Sequence, residues 1–189
     1  MRAHDNPFST DRLLKLRYLP QNETWDGIYR RLEALRFHAA IVGPEGSGKT
    51  TLLEDLQPFL RASGFAPHLI YLSTEARPIK LQRLAAILPQ ANPSCAVLLD
   101  SAELLGRAAW AYCRWRLRNA GGVIITAHCA GRLPILVKCS TSPELLRLLL
   151  DKLCVADHSR ACFAEDVFLK HAGNIRAALL DYYDQFARV

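Results

Sequence analysis

Short apolar runs alternate with stretches of helical periodicity along most of this chain, and that alternation predicts its architecture. Trp25, Ile28, Leu32 and Leu35 recur three and four residues apart behind Thr24, a capping residue type, and predict an amphipathic helix over 25–36. Ala39-Ala40-Ile41-Val42 is continuously apolar and runs into glycines, as a buried strand does. Residues 50–62 read as a helix that Pro58 kinks or shortens. Further strands are expected over 68–72, 95–99, 123–126 and 135–139, with helices over 81–88 and 104–119, the second closed by Gly121-Gly122. The N-terminal arm, 6–22, is irregular, with a short strand at 13–19 ended by Pro20. Apolar strands that alternate with helices require a parallel sheet covered on both faces. Beyond residue 140 the pattern changes. Thr141-Ser142-Pro143-Glu144 is a capping box with an early proline, followed by a Leu-rich helix to Leu153. Helices over 165–171 and 175–187 follow, the last with an apolar stripe of Ile175, Leu179, Tyr182 and Phe186. The predicted fold class is therefore α/β: a three-layer core with a five-stranded parallel sheet over 1–140, its arm included, then a small all-helical piece over 141–189.

Composition narrows the function classes. Half of the 189 residues are apolar, enough for a sizeable core and too many for a disordered polyelectrolyte. No run of 18 apolar residues occurs, and the polar start, Met1-Arg2-Ala3-His4-Asp5, has no signal-peptide character. The 6 cysteines include no Cys-x-x-Cys, which excludes zinc-ribbon and dithiol-redox spacings and points to a reducing, cytoplasmic setting. The net charge of +6 is concentrated: residues 104–140 hold 6 basic side chains and no acid.

One motif carries chemistry by itself. Gly43-Pro44-Glu45-Gly46-Ser47-Gly48-Lys49-Thr50-Thr51 satisfies G-x-x-x-x-G-K-[ST], with a predicted strand before it and a helix after it. Glycines let backbone N–H groups converge on a phosphate, and the helix N-terminus adds its dipole. Lys49 would charge-pair with the β- and γ-phosphates, and Thr50 would place a hydroxyl on Mg²⁺. Ala96-Val97-Leu98-Leu99-Asp100 is an apolar strand ending in an acid, on an expected neighbouring strand. Asp100 is the candidate second metal-side group, or else a cap of the following helix.

Together the phosphate loop, the Leu-Leu-Asp strand and Val123-Ile124-Ile125-Thr126 resemble the P-loop ATPase core of the AAA+ class, most closely its compact bacterial and origin-recognition-type members. Asn6-Pro7-Phe8 is similar to the N-terminal signature of bacterial transposition-helper and secretion-associated ATPases, and Gly173-Asn174-Ile175-Arg176 to the second sensor of the helical lid. The resemblance implies ATP/ADP and Mg²⁺ as ligands, Thr126 as the first sensor near the γ-phosphate, and Arg176 as the second sensor. The family pattern places a Glu after the strand-ending acid, to polarise the lytic water. Here that position is Ser101. Glu103 and Glu45 are the nearby carboxylates, and Glu103 is either the water-orienting base or a first-turn Glu on the helix dipole. Slow, partner-dependent or absent hydrolysis follows as an expectation. His128 reads as a structural or exposed His, and Cys129 as a loop thiol. Arg132 reads equally as a finger acting across a subunit interface or as a surface Arg.

On the helix over 104–118, Arg107, Arg114 and Arg118 fall within about 40° of one another. They are candidate contacts to nucleic acid, or a solvated face; Trp110, Cys113 and Leu117 form the stripe toward the sheet. The expected function is an ATPase or nucleotide switch serving an unidentified protein partner, with no membrane insertion. The alternatives are a small-molecule or nucleotide kinase, and a nucleic-acid-binding module with a structural nucleotide.

Overall fold

The structure is a computed structural model that describes residues 6–72, 92–153 and 164–187. Five strands, β1 (His38–Val42), β2 (Ala66–Tyr71), β3 (Cys95–Asp100), β4 (Gly122–Ala127) and β5 (Ile135–Lys138), form one sheet in the order β2-β3-β4-β1-β5. Every pairing is parallel, so all carboxyl ends lie along one edge. The five runs expected from apolar clustering are these five strands, each shifted by no more than two residues at either end. Registers such as Leu98 opposite Ile124 and Ile41 opposite Thr126 hold the central strands together. β3 is not adjacent to β1, as the sequence reading had it. β4 lies between them, which places Thr126 between the ends of the two strands.

Among the described residues the helices are α1 (Thr10–Leu13), α2 (Trp25–Ala34), α3 (Lys49–Asp55), α4 (Gln57–Ala62), α5 (Arg107–Arg116), α6 (Pro143–Leu153), α7 (Ala164–Lys170) and α8 (Ile175–Ala187). Thr24 caps α2 as expected, its Oγ1 accepting from the Gly27 N–H at 3.2 Å. The helix expected over 50–62 is two: it breaks at Leu56, and Pro58 sits in the first turn of α4, where its missing N–H costs nothing. The helix expected over 104–119 is shorter. A 3-10 turn, Ala102–Leu104, comes first, Gly106 then opens α5, and a second 3-10 turn, Leu117–Asn119, ends it. The short strand expected at 13–19 is absent: α1 and a turn occupy that stretch up to Lys15, and 16–20 belong to no helix or strand. The helix expected over 81–88 lies outside the described residues.

Contacts divide the chain into two units. One comprises 22–43 and 49–139 and contains the whole sheet. On one of its faces Ala40, Val42, Cys95, Val97, Leu99, Val123 and Ile125 pack against Cys113 and Leu117, with Trp110 and Ala109 alongside. The intervening residues Ile41, Leu98 and Ile124 are equally buried, and α3 packs against β1, β3 and β4. Strands buried on both faces explain their unbroken apolar runs. Burial pushes the Cys95 and Cys113 thiols up from the ordinary range, so both behave as small hydrophobes.

The other unit comprises 6–21, 44–48 and the described residues of 140–189. α6, α7 and α8 supply its core: Leu145, Leu146, Leu150, Val167, Ile175, Leu179, Tyr182 and Phe186. Ser142 caps α6 by accepting from the Leu145 N–H at 3.2 Å, with Pro143 at its first position. The arm assigned to the core by sequence groups here instead. Asn6 Oδ1 accepts from the Phe8 N–H at 2.9 Å, its Nδ2 donates to the Tyr183 carbonyl at 3.0 Å, and Phe8 enters the helical core. There its ring stacks on Tyr182 with centroids 5.5 Å apart and meets the edge of Phe186 at 5.1 Å. Asn6-Pro7-Phe8 is thus a packing motif. No helix among the described residues is long and apolar enough to cross a membrane.

Candidate functional site

The glycine-rich segment begins where β1 ends. Lys49 is buried at the start of α3, and its Nζ donates to the Gly43 carbonyl at 2.8 Å, so the lysine closes the chain back on the first glycine of the motif. Thr50, the next residue, is half-buried. Its hydroxyl donates to the Asp100 carboxylate, 3.1 Å from each oxygen. Thr126 approaches the same carboxylate from β4, its Oγ1 donating to Asp100 Oδ1 at 2.7 Å. That Thr126 oxygen also accepts from the Ser101 N–H at 2.7 Å.

The result is a carboxylate held between two threonine hydroxyls at the edge where the strands end. Thr126 is 1 % exposed and wholly committed to this cluster, a more specific role than its β-branched character announced. The structure therefore gives Thr126 a contact with Asp100 and Ser101. Asp100 does not cap the following 3-10 turn, whose first position has no side-chain cap. Ser101 has φ 60 and ψ 44, left-handed backbone that costs a non-glycine residue about 1 kcal/mol. Its N–H bond to Thr126 holds that conformation and turns the chain sharply away from β3.

Three further glutamates lie on these elements. Glu103, on the 3-10 turn after Asp100, has Oε1 3.4 Å from His128 Nε2, and its buried Oε2 has no hydrogen-bond partner among the described residues. His128, expected to be structural or exposed, is exposed and is also the neighbour of this acid. Glu54, one turn along α3 from Thr50, accepts a hydrogen bond from the Tyr71 hydroxyl. Tyr71 is opposite Asp100 in the β2–β3 register. Burial, then the Glu54 hydrogen bond and the charges of Glu54 and Asp100, hold the Tyr71 phenol well above its ordinary value. The Glu54–Tyr71 pair escaped the sequence reading; a polar position one helical turn beyond Thr50 was the available signal. Glu45, the third, is exposed.

Arg132 does not project outward. Its Nη2 donates to the Leu105 carbonyl and its guanidinium lies 5.1 Å over the Trp110 ring. Cys129 is an exposed free thiol. Arg107, Arg114 and Arg118 are exposed, and Cys113 and Leu117 are buried beneath them, as the helical spacing required.

The rest of the motif, 44–48, belongs to the unit with the C-terminal helices. Ser47 is buried, its hydroxyl donating to the Pro44 carbonyl at 2.8 Å, which leaves its side chain a turn-forming role. Gly46 and Gly48 have φ +72 and +81, where only glycine is unstrained. Gly46 has a second reason to be glycine. A Cβ there would lie 2.0 Å from Asn174 Oδ1, the oxygen that accepts the Ala177 N–H at the start of α8. The Tyr18 ring sits beside Gly48, 3.4 Å from where a Cβ would be. Neither Asn174 nor Tyr18 was singled out for this from sequence. Arg176, two residues beyond Asn174, is exposed in the first turn of α8. Pro44 is exposed and Thr51 half-buried in α3.

Searched against protein-family models and against curated proteins, the chain matches none.

Proposed function

We propose that the chain is an AAA+-like P-loop ATPase or nucleotide switch that binds Mg²⁺-ATP and couples its binding or hydrolysis to a partner. The observation that carries this reading is the Asp100 carboxylate held by Thr50 and Thr126, with Thr50 in the first turn of the helix that follows a strand and a glycine-rich loop. In this reading the N–H groups of 43–51 face phosphate, and Lys49 exchanges its Gly43 carbonyl for phosphate oxygens. Thr50 and Asp100 would hold Mg²⁺. A hydroxyl that donates to a carboxylate keeps its lone pairs for a cation, and one hydroxyl with one carboxylate suits an ion that retains waters and takes phosphate oxygens. The ion, when bound, neutralises charge on the β- and γ-phosphates.

The remaining work falls to protein side chains. Thr126 fixes the orientation of Asp100. Glu103 is the water-orienting carboxylate, since one of its oxygens has no protein partner among the described residues and His128 steers the other. Arg176 is the lid arginine of the AAA+ resemblance. With Ser101 where that pattern has a Glu, hydrolysis is slow, or waits on a partner.

The test is titration calorimetry with ATP and GTP, with and without Mg²⁺, beside steady-state phosphate release with and without duplex DNA. ATP is expected to bind with Mg²⁺, and Lys49→Ala to weaken binding at least about tenfold, the loss of one charge-assisted phosphate contact. Unchanged affinity in Lys49→Ala overturns the assignment. Phosphate transfer to a small acceptor without free phosphate release makes the chain a kinase instead.

A further inference from the structure

The outer face of α5 has a composition that its packing does not explain. Trp110, Cys113 and Leu117 point to the sheet. On the opposite side Ala108, Ala111, Tyr112 and Trp115 form a ridge about 100° wide at the helical repeat. All four are exposed, Tyr112 by 50 % and Trp115 by 56 %. Two large aromatics exposed to that extent on one helix forgo about half of their burial energy. Their rings lie 6.1 Å apart, inclined at 37°. Arginines flank them: the Arg118 guanidinium is 5.0 Å from the Trp115 centroid and that of Arg116 is 5.9 Å. Both distances are within cation–π range. Arg107 and Arg114 are exposed on the same helix, and 104–140 contains no acid to neutralise any of them.

We infer that this face is a docking surface for single-stranded nucleic acid, with Trp115 and Tyr112 stacking on unpaired bases and Arg116 and Arg118, with Arg107 and Arg114, pairing with the phosphates. Charge complementarity selects the occupant: four guanidiniums without a carboxylate fit a polyanion. The aromatics select the single strand. A base already stacked in a duplex offers no face to an indole, whereas an unpaired base does, whatever its identity. A helix that reads a duplex groove presents polar side chains to base edges; this ridge presents Ala, Ala, Tyr and Trp. The surface differs from the three-arginine face drawn from sequence, because Arg118 turns to Trp115 and Arg116 joins it. It does not depend on the nucleotide reading.

The experiment is fluorescence anisotropy of a labelled 20-nucleotide oligo(dT) and a duplex of equal length, at 50 and 200 mM NaCl. The expected result is tighter binding of the single strand, with a salt slope steeper than about −1.4, the value for two neutralised phosphates. Trp115→Ala is expected to weaken it about fivefold or more, and Trp115→Phe to retain most of the affinity. The paired change Arg116→Ala, Arg118→Ala is expected to flatten the slope by about 1.4. Trp115 and Arg118 are exposed and Arg116 is half-buried, and unchanged thermal melting verifies the fold of each variant. Lys49→Ala is expected to bind the oligonucleotide as the parent does, which separates this inference from the triphosphate site. Equal or tighter binding of the duplex, no oligonucleotide binding, or affinity indifferent to Trp115→Ala overturns it. So does capture of anionic vesicles or an acidic peptide in preference to the oligonucleotide.

Discussion

Two aromatic groups in this molecule are chemically alike and deployed in opposite ways. Phe8, Tyr182 and Phe186 meet inside the helical unit, each no more than 9 % exposed. Tyr112 and Trp115 meet on the outside of α5, with arginines for neighbours. Buried rings contribute to stability through area and geometry together; half-exposed rings forgo about half of that contribution. The contrast separates residues that hold the fold from residues the fold holds out. It also shows that a short motif near the start of the arm can belong to the first class, since Asn6-Pro7-Phe8 acts through packing.

The most severe challenge to that contrast is Phe8→Ala. Loss of a fully buried phenyl ring is expected to destabilise the protein by about 3–5 kcal/mol, read from urea unfolding. A loss under 1 kcal/mol would remove the packing role. Next is Thr126→Val, which keeps the shape and deletes the hydroxyl. It deprives the Ser101 N–H and Asp100 of a partner at once, so about 2 kcal/mol is expected, with Thr126→Ser recovering most of it. Asp181 gives a smaller, pH-dependent effect. Hydrogen bonds from Lys170 at 2.6 Å and His171 at 2.8 Å hold its carboxyl at about 2, below the ordinary 3.8. Its stabilisation is complete above pH 4 and is lost as the pH falls through 2. Asp181→Asn should therefore lower Tm by about 2–4 °C at neutral pH, and the gap to the parent should close between pH 4 and 2. The smallest effect belongs to the exposed group. Trp115→Ala is expected to change stability by no more than about 0.5 kcal/mol, and a larger loss would mean that α5 needs its outer face for folding.

Legibility in the sequence followed the same divide between local pattern and long-range contact. The five strands were readable because burial on both faces leaves unbroken apolar runs, as in Cys95–Asp100. The continuous helix expected over 104–119 failed at Gly106, since periodicity alone does not register a cap inside a run. Pro58 was correctly a difficulty, resolved by a new helix start. The association of Asp100 with Thr50 was expected, but not the intervention of β4, because strand order is not encoded in any single segment. Asn174 against Gly46, Tyr18 beside Gly48 and Phe8 among the C-terminal helices join residues far apart in the chain, and no local spacing announces them.

The composition of the helical unit has a consequence for how the protein is made. All five strands have been synthesised once residue 138 is added, and α/β cores of this kind can close as the chain emerges. The unit that contains 44–48 also requires α8, which ends at Ala187. At ordinary elongation rates the loop waits roughly ten to thirty seconds for its last structural neighbour to be translated. The glycine-rich segment is therefore made well before the last of its final surroundings. A ribosome stalled before α8 would display a sheet with its loop not yet set.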